Sequence, residues 1–307
     1  MQKKVLVTGA SGFIGRHVVR AAVRKPAVRI RLIHRSSEAP TDKAFERVRA
    51  DLTDPASLRG LCEGIDAVVH CASAVGTDEP TLRAVNEEGT RALLDEAMRQ
   101  GVRRIVYVST AAVYGRGPFR DAEPADLAPA PASATSRTRA AAERHVLAAG
   151  GTVLRPHLVY GTGDRWVIPG LAGLVRLLGA KVACGSVHSA VDVGALAEVA
   201  VAAALQERDL PPVFHVNHPR PVPVAALIDL VSGQLGLPER ESLSLSRARE
   251  LADGSPPALH HLEMLGTDHW FGSERVWRDL GCAAGPSPLD GLAAHLAWYG
   301  PLLRAAR

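Results

Sequence analysis

Three short stretches of this chain hold residues whose types and spacing could do chemistry. "VTGASGFIG" (7–15) places Gly9, Gly12 and Gly15 three apart, between an apolar run and a segment of helical periodicity. Glycines at that spacing allow a tight turn and let backbone N–H groups at a helix N-terminus reach a diphosphate. In a strand–turn–helix setting they predict a dinucleotide site built from Thr8, Gly9, Ser11, Gly12, Phe13, Ile14 and Gly15. "IHRSS" (33–37) ends the next apolar run. A carboxylate there bonds the ribose 2′-hydroxyl of NAD, whereas His34, Arg35, Ser36 and Ser37 offer a cation and hydroxyls. A fixed guanidinium suits a 2′-phosphate, so the expected cofactor is NADP(H). "SATSRTRAAAERHVL" (133–147) sets Thr135 and Arg139 four apart, on one face of a helix that starts polar and continues alanine-rich, with Glu143 and Arg144 further along.

The elements that must position these residues alternate. "KKVLVTG", "VRIRLIHR", a short strand around Val48, "DAVVHCAS" and "RRIVYVST" are apolar strands. Helical segments separate several of them, one running from about Glu79 to Gln100. Continuous apolar strands with intervening helices predict a parallel sheet covered on both faces: a Rossmann-type, doubly wound α/β fold. Residues 1–160 read as the nucleotide-binding domain. Residues 161–307 read as mainly a smaller substrate-binding lobe, with some segments returning to the sheet. "PFRDAEPADLAPAPASATS" (118–136) reads as a long loop flanking the site.

Composition narrows the function. The 307 residues are 47% hydrophobic and 22% charged, and the formal net charge is +4. The basic residues form no cluster interleaved with aromatics, which argues against nucleic acid as a partner. No apolar run approaches a membrane span and the chain enters a strand directly, so a cytoplasmic protein without membrane contact is expected. Cys62, Cys71, Cys184 and Cys282 are scattered, which predicts buried free thiols and no metal site. His215 and His218, three apart on a strand, point to opposite faces and make a poor ligand pair. Of 36 basic residues only five are lysines.

With these motifs the chain resembles the extended short-chain dehydrogenase/reductase family over nearly its whole length. "TGASGFIG" matches the family's glycine motif, "DLTDP" (51–55) its adenine pocket, and "VVHCAS" (68–73) its strand-4 motif. "VNEEGT" (85–90) matches its asparagine-bearing helix, "VYVSTAAVYG" (106–115) its catalytic strand, and "LRPHLVYG" (154–161) the segment beside the nicotinamide. The resemblance implies that Asp51, Leu52, Cys71, Ala72, Ser73, Pro156 and His157 touch the cofactor, and that Ser109 and Thr110 polarise a carbonyl. It also implies that Tyr114 and Tyr160 face the site, and that Trp166 lines the substrate pocket. His157 is expected to act by its backbone or as a proton relay.

At one place the chain departs from the family. A tyrosine that passes the proton and a lysine four residues later are replaced by Thr135 and Arg139. Arg139 retains donors for the nicotinamide ribose. Thr135 has no usable acid, since an aliphatic hydroxyl does not ionise near neutrality.

The chain further resembles the reductases that tailor aromatic polyketides in actinobacterial antibiotic pathways. The expected function is therefore an NADPH-dependent ketoreductase acting on a polycyclic aromatic polyketide ketone, with the proton supplied by a hydroxyl of the substrate. A nucleotide-sugar epimerase or dehydratase, a reductase of another unsaturated bond, and a non-catalytic NADP-binding sensor or scaffold are the alternatives. Thr135 counts against the first and favours the last.

Overall fold

The computed structural model describes residues 2–35, 45–76, 78–236 and 241–305. Its strands are β1 (Lys3–Thr8), β2 (Val28–His34), β3 (Phe45–Arg49), β4 (Ala67–His70), β5 (Arg104–Val108), β6 (Phe119–Ala122), β7 (Thr152–Arg155), β8 (Leu158–Tyr160), β9 (Val187–His188), β10 (Ala190–Asp192), β11 (Val213–His215), β12 (Val222–Pro223) and β13 (His269–Phe271). Its helices are α1 (Phe13–Val23), α2 (Glu79–Leu82), α3 (Gly89–Arg99), α4 (Ala134–Ala148), α5 (Val167–Leu178), α6 (Val193–Leu205), α7 (Val224–Leu235), α8 (Leu245–Leu251), α9 (Pro256–Leu265), α10 (Glu274–Leu280), α11 (Pro288–Ala294) and α12 (Leu296–Ala305).

Seven strands form one parallel sheet in the order β11-β7-β5-β4-β1-β2-β3. Alternation along β1 sends its side chains to two separate cores. Val5 and Val7 pack with α1, α6 and α10 on one face, and Leu6 packs with α3 and α4 on the other. All three are essentially inaccessible. Burial of such a side chain contributes about 1.5–3 kcal/mol, which is why these strands read as unbroken apolar runs. β11 and α6 come from the second half of the chain, so the later residues complete the sheet and its cover.

α10 joins the main core as well, and much of the remaining second half packs around a second one. α5, α7, α9 and α12 share a core with Tyr160, Leu171, Val231, Leu262 and Tyr299. A separate four-stranded sheet has the order β12-β9-β13-β6. β6 and a 3-10 turn at Pro124–Asp126 occupy part of the segment expected to be a loop. The physical cause is tertiary. Phe119 packs on Tyr114, Phe271 and His269, partners that local composition does not disclose.

The helix expected over 79–100 is also interrupted, because Arg83–Glu88 winds as a π-helix between α2 and α3. Cys62 and Cys184 are buried, but Cys71 and Cys282 are only half-buried, which corrects the expectation of four buried thiols. Among the described residues no helix is long and apolar enough to cross a membrane.

Candidate active site

The strand order reverses between β1 and β4, and a crevice opens outside their carboxyl ends, the usual ligand position in such sheets. Gly9 turns the chain there with φ of +66°, and a Cβ on it would stand 2.6 Å from the amide nitrogen of Ala72. Gly15 acts by packing: its Cβ would lie 2.1 Å from the carbonyl oxygen of Gly9. Gly12 caps α1 and is exposed, open to a diphosphate.

Beneath this turn runs a chain of hydrogen bonds that the motifs did not disclose. The hydroxyl of Thr90 donates to the Asn86 carbonyl, so His70 Nε2 donates to Thr90 over 2.9 Å. His70 Nδ1 then accepts from Thr8 Oγ1 over 2.6 Å, and Thr8 Oγ1 accepts from the amides of Cys71 and Ala72. The two strand ends flanking the crevice are thereby fixed to one another. A histidine inside the apolar run "VVHC" was the available signal, since a buried polar side chain needs partners.

A cavity of about 330 Å³ extends from the glycine turn. Gly9, Ser11, Gly12, His34, Arg35, Asp51, Leu52, Cys71, Ala72 and Ser73 line it, which brings together much of the expected cofactor set. Phe13 and Ile14 begin α1 beside it. Ser36 lies outside the described residues. The Asp51 carboxyl is held below its usual range by bonds from the Thr53 amide and hydroxyl, with Arg35 adding a smaller attraction. A turn, a helix N-terminus and a cation at the far rim fit a dinucleotide.

On the far side of β4 from the glycine turn stand β5 and then β7. The Ala111 amide donates to Pro156 O over 2.7 Å, so Thr110 and His157 flank the same point. Thr110 Oγ1 accepts from the Ala112 amide at 3.1 Å, which leaves its own proton to give. Ser109 is buried, and its hydroxyl has no hydrogen-bond partner among the described residues.

Ser133 caps α4 in a reciprocal box with Ser136, a device worth about 1 kcal/mol. The box sets the face that carries Thr135 and Arg139. Arg139 donates to Val108 O over 2.6 Å, and its guanidinium lies 5.9 Å from the Tyr107 ring centre. Its Nε is buried without a hydrogen-bond partner among the described residues. Thr135 Oγ1 donates to Gly76 O over 3.0 Å. Asn86 sits in the π-helix, with its amide bonded to Ala74 O and to Thr138 Oγ1. Asn86 thus ties the loop after β4 to α4.

The tyrosines correct the sequence reading. Tyr114 does not face a substrate. Its hydroxyl accepts from Arg155 Nη1 at 2.6 Å and stands 2.7 Å from His215 Nε2, inside a buried cluster. Tyr160 is 2% exposed and packs in the second core against Gly291. Burial raises both phenols above their ordinary range. Trp166 is 65% exposed at the start of α5, on an open surface rather than in an enclosed pocket. His157 is half-buried, and its amide donates to Asn217 Oδ1.

Burial lowers His70 to about 3 and both His188 and His215 to about 4. Unfolded histidines titrate near 6.5, so below that pH the unfolded chain binds more protons. The stabilisation is therefore complete above about pH 6.5 and is lost as pH falls towards 4. Each histidine adds a slope of about 1.4 kcal/mol per pH unit. The urea midpoint is expected to hold steady from pH 8 to 7 and to drop steeply below 6.5. A midpoint unchanged at pH 5 contradicts this.

Such a sheet, with a glycine turn at its switch point and polar groups at the ends of β5 and β7, defines a nicotinamide-dinucleotide-dependent oxidoreductase. Residues 5–209 match the NAD dependent epimerase/dehydratase family, and the chain belongs to it. It is 28% identical to a 2-alkyl-3-oxoalkanoate reductase of Stenotrophomonas maltophilia, across 94% of this chain and 97% of that one. It is 32% identical to a 4-hydroxy-2-methyl-3-oxo-4-farnesyl-3,4-dihydroquinoline-1-oxide ketoreductase of Stigmatella aurantiaca, across 56% of this chain and 55% of that one. Its fold is similar to that of the Bordetella bronchiseptica enzyme WbmH in complex with NAD+. That match has a TM-score of 0.78 at 22% identity and covers 97% and 99% of the two chains.

Proposed function

We propose that the protein is a cytoplasmic, NADPH-dependent ketoreductase of polycyclic aromatic polyketide ketones, in which a hydroxyl of the substrate supplies the proton. The reading rests on the fate of the candidate protein acids. Thr135 gives its proton to Gly76 O, Tyr114 is walled into a buried cluster, and Tyr160 lies in the second core. Arg139 is too firmly protonated to act as an acid. The resemblance to polyketide-tailoring reductases extends to the angucyclinone ketoreductase of simocyclinone assembly, and it favours a phenol-bearing ketone.

The cofactor, when bound, supplies a hydride. Gly9, Ser11 and Gly12 would hold its diphosphate, Arg35 its 2′-phosphate, and Arg139 its nicotinamide ribose. Thr110 directs its free O–H at the carbonyl oxygen, and Ser109 brings a second hydroxyl beside it. As the carbonyl carbon gains hydride, its oxygen takes the proton of a phenol or enol next to it, and water reprotonates that group. A pre-positioned intramolecular donor has an effective molarity on the order of 10⁵ M or more. That offsets the roughly 3–5 kcal/mol forfeited with the tyrosine.

NADPH consumption, followed at its absorbance band with a panel of hydroxyaryl ketones, tests the reading. Tight NADPH binding without turnover of any ketone would favour the alternative that Thr135 and Arg139 keep open, a sensor or scaffold. Arg35→Ala is expected to weaken NADPH by about 1.5–3 kcal/mol and to leave NADH nearly unchanged. Equal losses for the two cofactors would show that Arg35 does not read the phosphate.

A further inference from the structure

We propose that His157 is a fixed hydrogen-bond acceptor that selects the substrate: its Nδ1 takes a bond from a hydroxyl of the bound ketone, one not tied to the reacting carbonyl. The inference rests on the ketoreductase reading for its ligand and on a short chain of hydrogen bonds for its direction.

The chain starts at a backbone carbonyl. His188 Nε2 lies 3.0 Å from Thr267 O, with the Met264 carbonyl a second neighbour. A carbonyl only accepts, so His188 carries its hydrogen on Nε2. A neutral imidazole has one N–H, which leaves His188 Nδ1 as an acceptor. His157 Nε2 lies 3.1 Å from that atom and must be the donor. The remaining nitrogen of His157, Nδ1, is therefore a bare lone pair, and no described residue bonds to it. Burial lowers both imidazoles, which keeps the pair neutral at pH 7.

The ring is held where it stands. It stacks on His269 with centroids 5.5 Å apart and planes 13° apart, and meets Phe271 edge-on at 5.6 Å. His269 has no hydrogen bond left for it, because Nδ1 donates to Thr267 O and Nε2 accepts from the Gly117 amide. The backbone beside His157 is equally committed, to Asn217 and to Ala111. What the His157 side chain offers a ligand is an acceptor. It cannot protonate an alkoxide, and it favours a ligand that brings a donor. Its ring packs on His188 of β9 and His269 of β13. The donor assigned to it is a hydroxyl of the ketone, and the nicotinamide carboxamide, whose ribose Arg139 would hold at the end of β5, is the alternative that the test separates.

The test uses the full chain labelled with ¹⁵N-histidine. Long-range ¹H–¹⁵N spectra at pH 7 are expected to show Nε2–H tautomers for His157 and His188 and the Nδ1–H tautomer for His269. With NADP+ present, 1,3-dihydroxyanthraquinone is expected to shift His157 Nδ1, and its 3-methyl ether is not. The dihydroxy compound should bind about tenfold tighter than that ether, the value of one hydrogen bond. The preference should vanish in His157→Phe and survive in His157→Asn, whose side-chain oxygen can stand where Nδ1 stood. A protonated Nδ1 in the wild type overturns the inference. So does an Nδ1 shift produced by NADP+ alone and untouched by the ketone, which would assign the bond to the carboxamide. Equal binding and reduction of both ketones overturns it while the ketoreductase reading stands. If neither ketone binds or consumes NADPH, both fall.

Discussion

Methylation of the hydroxyl beside the reacting ketone is expected to lower kcat/KM by about 10²–10⁴-fold, the usual cost of losing a positioned general acid. The ether keeps the ring system and the carbonyl, so binding should change little and the loss should fall on kcat. Tyr114→Phe and Tyr160→Phe should leave turnover of the parent ketone within a few-fold. The first phenol is enclosed by Arg155 and His215, and the second is packed in the second core. Thr135→Ala should behave likewise, because its hydroxyl is spent on Gly76 O. An ether reduced at the parent rate, together with one inactive tyrosine variant, would move the acid from the substrate to the protein.

Glu143→Leu is expected to destabilise the fold by about 3–5 kcal/mol, measured by urea denaturation. Arg155 bonds Glu143 through Nε at 3.1 Å and Nη2 at 2.5 Å, with both side chains less than 5% exposed. His215 Nδ1 faces Gly272 O at 3.3 Å, which makes its Nε2 an acceptor. Tyr114 therefore donates to His215 and accepts from Arg155. Removing the carboxylate strands a buried guanidinium and loosens the whole series. The double variant Glu143→Leu, Arg155→Met removes both charges and should recover most of the loss, since a well-packed apolar pair often equals a buried ion pair. Additive losses in the double variant would show that the pair is not coupled. Tyr114, read as facing the site, belongs to this structural series instead.

The nucleotide half was legible because its determinants are local. Gly9 needs φ of +66° and close approach to Ala72, a demand that selects glycine whatever surrounds the turn. The strands buried on both faces appear as unbroken apolar runs for the same kind of reason. The departure at Thr135 and Arg139 was visible as well, since the absence of a phenol at one position is a matter of residue type.

Residue type alone did not settle where the remaining polar side chains point. Glu143 and Arg144 are neighbours in "AAAERHV", yet Arg144 is exposed and Glu143 is buried against an arginine from β7. The periodicity of α4 allows either face, and the strand beneath it decides. Pro- and Ala-rich 118–136 contains β6 because Phe119 meets aromatics from β13, about 150 residues away. The direction of each histidine hydrogen bond follows from a carbonyl or hydroxyl brought up by another element. Thr267 O orients His188 and through it His157, Gly272 O orients His215, and Thr90 orients His70. By itself the sequence determined the sheet, the dinucleotide turn and the missing acid, which depend on backbone conformation, periodicity and residue chemistry. Only the tertiary structure decided which phenols are walled in and which imidazole nitrogens accept, because a buried polar atom takes its role from its nearest partner, and those partners are set by packing.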